Sequence, residues 1–368
     1  MYHSTFTTSS RAVLILKTHL LVLKTLPLQR EMLSPVWLAL ILSGGVLVLL
    51  LRIELHYSLL PEPSKLDDGV RIAASGEAHA SSLSNGVSDL VLYTYYETDE
   101  ARNNLEFFIE HALHDKVDFV FIMNGKYTIS IPNLPNVKVV DRPNECFDLG
   151  AYGEVLRSNN SFLATKYSRF IMINASLRGP FFPSWANNCW SDVYLSKLSD
   201  RVKLVGMTYN CAKDQTYPPH LQSMIMATDK TGLAAILPNL KCFETMHSAV
   251  FEGETQISRW VEEAGYNVYA MMSAFPAYGG ALGEDIYAAS CTGSDPLFSG
   301  AYNGSSLHPY DTLYVVGRLF PHINLQLTGS LSHSFSKTNR PWNEYDRTVI
   351  DQVTKYAKLS GYSSYKNC

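Results

Sequence analysis

Between Leu90 and Met272, short apolar runs alternate with segments of helical periodicity, and this alternation limits the fold more than any other feature. Leu90–Tyr96, Asp118–Met123, Val137–Val140 and Arg169–Ile173 read as strands, as do Val202–Asn210, His220–Thr228 and Tyr266–Met272. Between them lie helical stretches. Thr98 is placed to cap the first, with Asp99 and Glu100 in its positive first turn and Leu105, Phe108, Ile109 and Ala112 at helical spacing. Further helices are expected at about Asp148–Ser158, Ser191–Ser199, Asp229–Leu237 and Thr255–Ala264. The pattern predicts an α/β fold: a Rossmann-like, mostly parallel open sheet with helices on both faces.

The run Phe170–Ile173 is wholly apolar, as in a strand buried on both faces. It delivers Asn174, Ser176 and Arg178 before Gly179-Pro180 ends the extended stretch. Ligands of open α/β sheets bind beyond the carboxyl ends of the strands. Those residues are therefore candidates for a site. A polar turn closing a core strand is the competing explanation.

The amino-terminal part has a different character. Val36–Leu51 is sixteen residues without a charge, just short of the roughly 20 needed to span a bilayer. Met32, Leu33 and Ile53 extend it. Arg11, Lys17, Lys24 and Arg30 precede it, against only Glu31, and Arg52 and Lys65 follow together with Glu54, Glu62, Asp67 and Asp68. The positive flank places the amino terminus in the cytosol and the bulk of the chain in a lumen. A short span fits the thin bilayers of the early secretory pathway, ER or Golgi. The expected organisation is a cytosolic tail (1–35), a transmembrane signal anchor (36–54), a polar stem (55–88), a catalytic-type domain (89–313) and a C-terminal region (314–368). This makes the chain a single-pass type II membrane protein.

All six cysteines follow the span, so a lumenal location permits up to three disulfides, of unreadable connectivity. None has CxxC spacing, which argues against zinc. Sequons occur at Asn159, Asn174 and Asn303. The first and third sit in polar surroundings that suit a glycan, whereas Asn174 follows a buried strand and is expected to be unmodified. A net charge of −4 gives no basic footprint for nucleic acid.

Other constellations are weaker. Asp141–Gly153 follows the third strand and carries Asn144, Asp148, Gly150 and Gly153 into a helix start, where free N–H groups and glycines suit a diphosphate. The same pattern fits an ordinary Asp cap. It is neither GxGxxG nor a P-loop. On a strand, His220 and Gln222 share one face, beside Ser223. Glu252 and Glu254 precede a helix containing Ser258 and offer a carboxylate to deprotonate an acceptor hydroxyl. No GxSxG or HExxH signature is found, and no DxD follows an apolar strand.

Together the blocks NECFDLGAYGEVL, RFIMINASLRGPFF, VKLVGMTYNC, HLQSMIMATD, GETQISRWVEEAGYNV and HPYDTL resemble a family of uncharacterised eukaryotic glycosyltransferase-like proteins. They are distantly similar to the bacterial rhamnan synthesis F family. The resemblance spans about Leu90–Leu313 and implies a GT-A-like sheet and transfer from a nucleotide-sugar donor to a glycan or glycoconjugate acceptor. By position it implies that Asn124, Asn144, Asp148, Gly150, Asn174, Ser176, Arg178 and Gly179 line the donor. Gln222, Ser223, Ser258, His308 and Tyr310 would face the acceptor. Glu254 is the expected base, with Glu252 second and His220 close by. Asn174 and Ser176 stand where such enzymes often carry DxD carboxylates, so Mn or Mg dependence is in doubt and Arg178 is the expected substitute for the cation. Tyr314–Phe335 interrupts the pattern and reads as a loop insertion or a translated intron. A non-catalytic lectin or scaffold of the same fold is the main alternative, and a membrane-anchored hydrolase the lesser one.

Overall fold

The computed structural model describes residues 86–211, 218–275, 291, 293, 295–297, 302, 307–316 and 344–368. The expected tail, anchor and most of the stem lie outside these residues, as does Asn303. Among the described residues no helix is long and apolar enough to cross a membrane.

The strands are β1 (Asp89–Tyr95), β2 (Asp118–Asn124), β3 (Val137–Arg142), β4 (Arg169–Asn174), β5 (Leu177–Arg178), β6 (Val202–Gly206), β7 (Tyr209–Asn210), β8 (His220–Leu221), β9 (Ile225–Asp229), β10 (Asn267–Ala270) and β11 (Val315–Val316). The main helices are α1 (Asp99–Ala112), α2 (Phe147–Lys166), α3 (Trp190–Leu195), α4 (Lys230–Ile236), α5 (Ile257–Glu263) and α6 (Glu344–Ser360). Seven strands form one sheet in the order β10-β6-β9-β4-β1-β2-β3. Its pairings are parallel except those of β9, which runs antiparallel to both β4 and β6.

Period-two alternation builds two cores. Leu90, Leu92, Phe170 and Met172 pack with residues of α2, α4 and α5 on one face. Val91, Tyr93, Ile171 and Ile173 pack with residues of α1 and α3 on the other. Burying each such side chain contributes about 1.5–3 kcal/mol. This is why the central strands read as continuous apolar runs.

Thr98 caps α1 as expected, its Oγ1 accepting the Ala101 N–H at 3.1 Å. Two elements depart from expectation. The stretch His220–Thr228 is two strands: β8 pairs with β7, and β9 enters the main sheet. They separate because the Ser223 N–H bonds Glu254 rather than a strand neighbour. The helix expected at Thr255–Ala264 starts as a 3-10 turn at Glu254–Gln256. In addition, α2 continues to Lys166 past non-helical residues Ser158–Ser161. Within the expected insertion, Tyr314 is fully buried and β11 pairs with β5.

All six cysteines are paired, as Cys146–Cys242, Cys189–Cys368 and Cys211–Cys291.

Candidate functional site

The chain runs from β1 outward through β2 and β3, then returns to place β4 on the other side of β1. The order thus reverses between β1 and β4, the point at which open α/β sheets form a ligand crevice. Thr94 and Asn174 are register partners at the carboxyl ends of these two strands. By alternation with Leu92 and Met172, both turn toward α2. The first turn of α2 supplies Asp148.

These residues form one hydrogen-bonded group. Asn174 Nδ2 donates to Asp148 Oδ2 at 2.9 Å, and Thr94 Oγ1 donates to Asp148 Oδ1 at 3.2 Å. The backbone N–H of Ser176 donates to Asn174 Oδ1 at 3.1 Å, and the Ser176 hydroxyl bonds the same oxygen. That acceptor role orients the Asn174 amide and leaves its NH2 for the carboxylate. Burial raises the Tyr152 hydroxyl well above its ordinary range, and the Asp148 charge adds to the effect.

A second polar group adjoins the first through residues 222–224. The Asn174 N–H donates to the Met224 carbonyl at 3.0 Å, and the Ser223 N–H donates to Glu254 Oε1 at 3.1 Å. Beside them Gln222 accepts from Thr208 Oγ1 at 2.7 Å, and its Nε2 lies 3.5 Å from Asp295 Oδ1. Asn210 Nδ2 donates to Asp295 Oδ2, and the Leu297 N–H donates to Oδ1, both at 2.9 Å. Burial raises the Asp295 pKa; Leu297, His220 and Gln222 oppose the rise and Glu254 adds to it. The disulfide Cys211–Cys291 ties the residue after Asn210 to the segment carrying Asp295.

Asp295 is the functional candidate that sequence reasoning missed. It lies in no periodic element, and its partners Asn210 and Gln222 are distant in the chain.

The structure therefore brings together Asp148, Asn174, Ser176, Gln222, Ser223, Glu254 and His220. His220 is buried, with Nδ1 2.9 Å from the Pro218 carbonyl. Other expected site residues have structural work. Arg178 does not face this group: its Nε donates to Asn104 at 2.9 Å, its Nη2 pairs with Glu100 on α1, and its Nη1 lies 4.0 Å from Asp351 on α6. Asn124 bridges the Tyr95 carbonyl, at 3.0 Å, and the Arg142 guanidinium. Ser258 is fully buried and accepts the Leu221 N–H at 2.8 Å. Glu252 makes an exposed ion pair with Lys241 at 3.3 Å.

The glycines are packing residues. A Cβ on Gly150 would stand 2.6 Å from Cys146 Cβ and 3.0 Å from the Lys241 carbonyl oxygen. One on Gly153 would stand 1.9 Å from the Leu240 carbonyl oxygen. Their absent side chains admit the backbone of the 240–242 segment, not a phosphate. Gly179 does the same against Leu313 and Tyr314. Asn144 is exposed and packs over Gly125. His308 and Tyr310 are exposed on a short turn in which His308 Nδ1 accepts the Tyr310 N–H at 3.2 Å.

The end of β4 offers a divalent cation one carboxylate, Asp148, where Mg is ordinarily held by one or two carboxylates together with substrate phosphates. Asp148 supplies the carboxylate of this group, and both its oxygens accept hydrogen bonds from Thr94 and Asn174. The Asn174 carbonyl oxygen is held by Ser176. Among the described residues, His114, Cys189 and Cys368 also lie in metal-binding proximity, but the two cysteines are joined in a disulfide.

No protein-family model matches the chain, and no curated protein does. Among solved structures it is similar to the glycosyltransferase GlyE of Streptococcus pneumoniae TIGR4, at 12% identity and a TM-score of 0.35. The match covers 76% of this chain and 66% of that one, so the chain spans just under two thirds of that protein's length.

Proposed function

We propose that the chain is a membrane-anchored glycosyltransferase of the secretory pathway, using a nucleotide-sugar donor and a glycan or glycoconjugate acceptor. The observation that carries this reading is the Asp148–Asn174 pair at the β1/β4 reversal, adjoined through residues 222–224 by a second, half-buried carboxylate, Asp295. The first group suits the donor. Asp148 accepts hydrogen bonds from donor hydroxyls, while Asn174 and Ser176 hold it in orientation. The second suits proton removal. A base whose pKa is pushed toward the working pH combines the correct protonation state with driving force.

The reaction follows from these roles. An acceptor hydroxyl oxygen attacks the anomeric carbon of the donor sugar. The bond from that carbon to the diphosphate oxygen breaks, and the nucleoside diphosphate leaves with the bonding pair. The hydroxyl proton passes to Asp295. Glu254 holds the Ser223 backbone between the two groups. Three disulfides support an oxidising, lumenal compartment, and the charge asymmetry around residues 36–54 supports a type II anchor.

A second reading, a non-catalytic glycosyltransferase-like lectin or scaffold, is favoured by Asn174 and Ser176 in place of carboxylates and by the engagement of Arg178 elsewhere. Release of nucleoside diphosphate from a panel of nucleotide sugars by the purified full chain separates the two. Turnover with one donor supports the enzyme. Binding without turnover, with acceptor glycans present, supports the scaffold.

A further inference from the structure

We infer that Asn159 is a glycosylated asparagine, carrying an N-linked oligosaccharide on the flank of α2. This rests on the lumenal placement proposed above, and goes beyond it by assigning a modification site.

Three observations carry it. First, Asn159-Asn160-Ser161 is a sequon lying where α2 leaves helical geometry: Asn159, Asn160 and Ser161 have φ of 50°, 56° and 58°. An asparagine tolerates this left-handed region better than most residues. Outside a regular helix the side chain and the following backbone are accessible together. Second, Asn159 and Asn160 are exposed, and Phe162 beside them is 48% exposed. Among the described residues nothing covers this corner, and none hydrogen-bonds the Asn159 amide. Third, the other described sequon is the opposite case. Asn174 is only 9% exposed, with its amide NH2 on Asp148 and its oxygen held by Ser176.

Asn159 follows Asp148 by eleven residues, about 16 Å along a helix at 1.5 Å per residue. A glycan there stands clear of the crevice at the amino end of α2. In the transfer, Asn159 Nδ2 bonds to the anomeric carbon of a lipid-diphosphate-linked oligosaccharide. The bond from that carbon to the diphosphate oxygen breaks, the lipid diphosphate leaves, and the amide gives up one proton.

The test uses the full chain made in eukaryotic cells and treated with peptide N-glycosidase F, which leaves aspartate at each glycosylated asparagine. Peptide mass spectrometry is expected to find aspartate at position 159 and asparagine at 174. Asn159→Gln and Ser161→Ala should each remove one mobility step. Alkylation of the cysteines before reduction reports the compartment. Blocked cysteines with unmodified Asn159 would overturn the glycan assignment and leave the lumenal reading intact. Freely alkylated cysteines with no glycan anywhere would overturn both.

Discussion

Asn174 donates its amide N–H to Asp148 across 2.9 Å, joining the end of β4 to the first turn of α2 at the point where the strand order reverses. The same amide oxygen is fixed by Ser176, so the donor direction is set before any ligand arrives. The end of β4 thus presents a hydrogen-bond donor to the carboxylate of α2.

Asn174→Ala is expected to weaken nucleotide-sugar binding by up to about 10–150-fold, because the hydrogen bond that orients the Asp148 carboxylate contributes about 1.5–3 kcal/mol. Asn174→Asp places two carboxylates together and should strengthen divalent-ion binding. Thermal shift with and without Mn²⁺ reads both effects.

Asp295→Asn is expected to lower turnover by about 10²–10⁴-fold while leaving donor affinity near its original value. Glu254→Gln should cost less, because it weakens the Ser223 contact and removes one of the charges that raise the Asp295 pKa, while leaving the Asp295 carboxylate in place. Glu252→Gln should cost nothing measurable, since an exposed pair like that with Lys241 contributes about 0–1 kcal/mol. Steady-state rates at saturating donor distinguish the three.

Burial holds the Asp295 pKa above the ordinary carboxylate value. As the base it must be ionised, so the rate should fall as pH drops through that raised value, higher than for an exposed aspartate. The linkage to stability has the opposite sign. A raised acid pKa contributes stability that is present below the unfolded value and lost as pH rises through the folded one. A pH–rate profile and a melting series over the same range check both.

Arg178→Ala should destabilise the fold by about 1.5–3 kcal/mol, through loss of its charged hydrogen bonds to buried Asn104 and half-buried Glu100, and leave binding by the folded fraction unchanged. Urea unfolding beside donor titration measures the two separately.

Cys211→Ser with Cys291→Ser opens a loop of sequence separation 80, worth about 4 kcal/mol in chain entropy. It also frees the segment holding Asp295. The double variant should lose turnover at temperatures where it is still folded, as judged by far-ultraviolet circular dichroism.

Much of the fold is legible along the chain because the central strands are buried on both faces and α1 carries its cap and stripe in consecutive residues. The reversal of β9 is not legible. Its direction depends on a turn at residues 222–224 held by Glu254, about thirty positions later. The glycines at 150 and 153 have the composition of a phosphate loop, yet they serve the approach of residues 240–242, beside a disulfide whose pairing spacing does not reveal. Asn174, Ser176 and Asp148 are legible because each follows or begins a periodic element. Asp295 is not, since only tertiary contacts with Asn210 and Gln222 mark it. Arg178 lies two residues beyond Ser176, but β5 carries it toward α1 and α6.

The most direct test of the central claim is the melting temperature of the full chain and of Asp148→Ala across a panel of nucleotide sugars. A donor at a hundred times its dissociation constant stabilises by about 2.7 kcal/mol, which for a domain of this size is about 5 °C or more. The account predicts such a shift with one donor for the natural chain and its loss in Asp148→Ala. An equal shift in both proteins, or none with any nucleotide sugar in either, would contradict it.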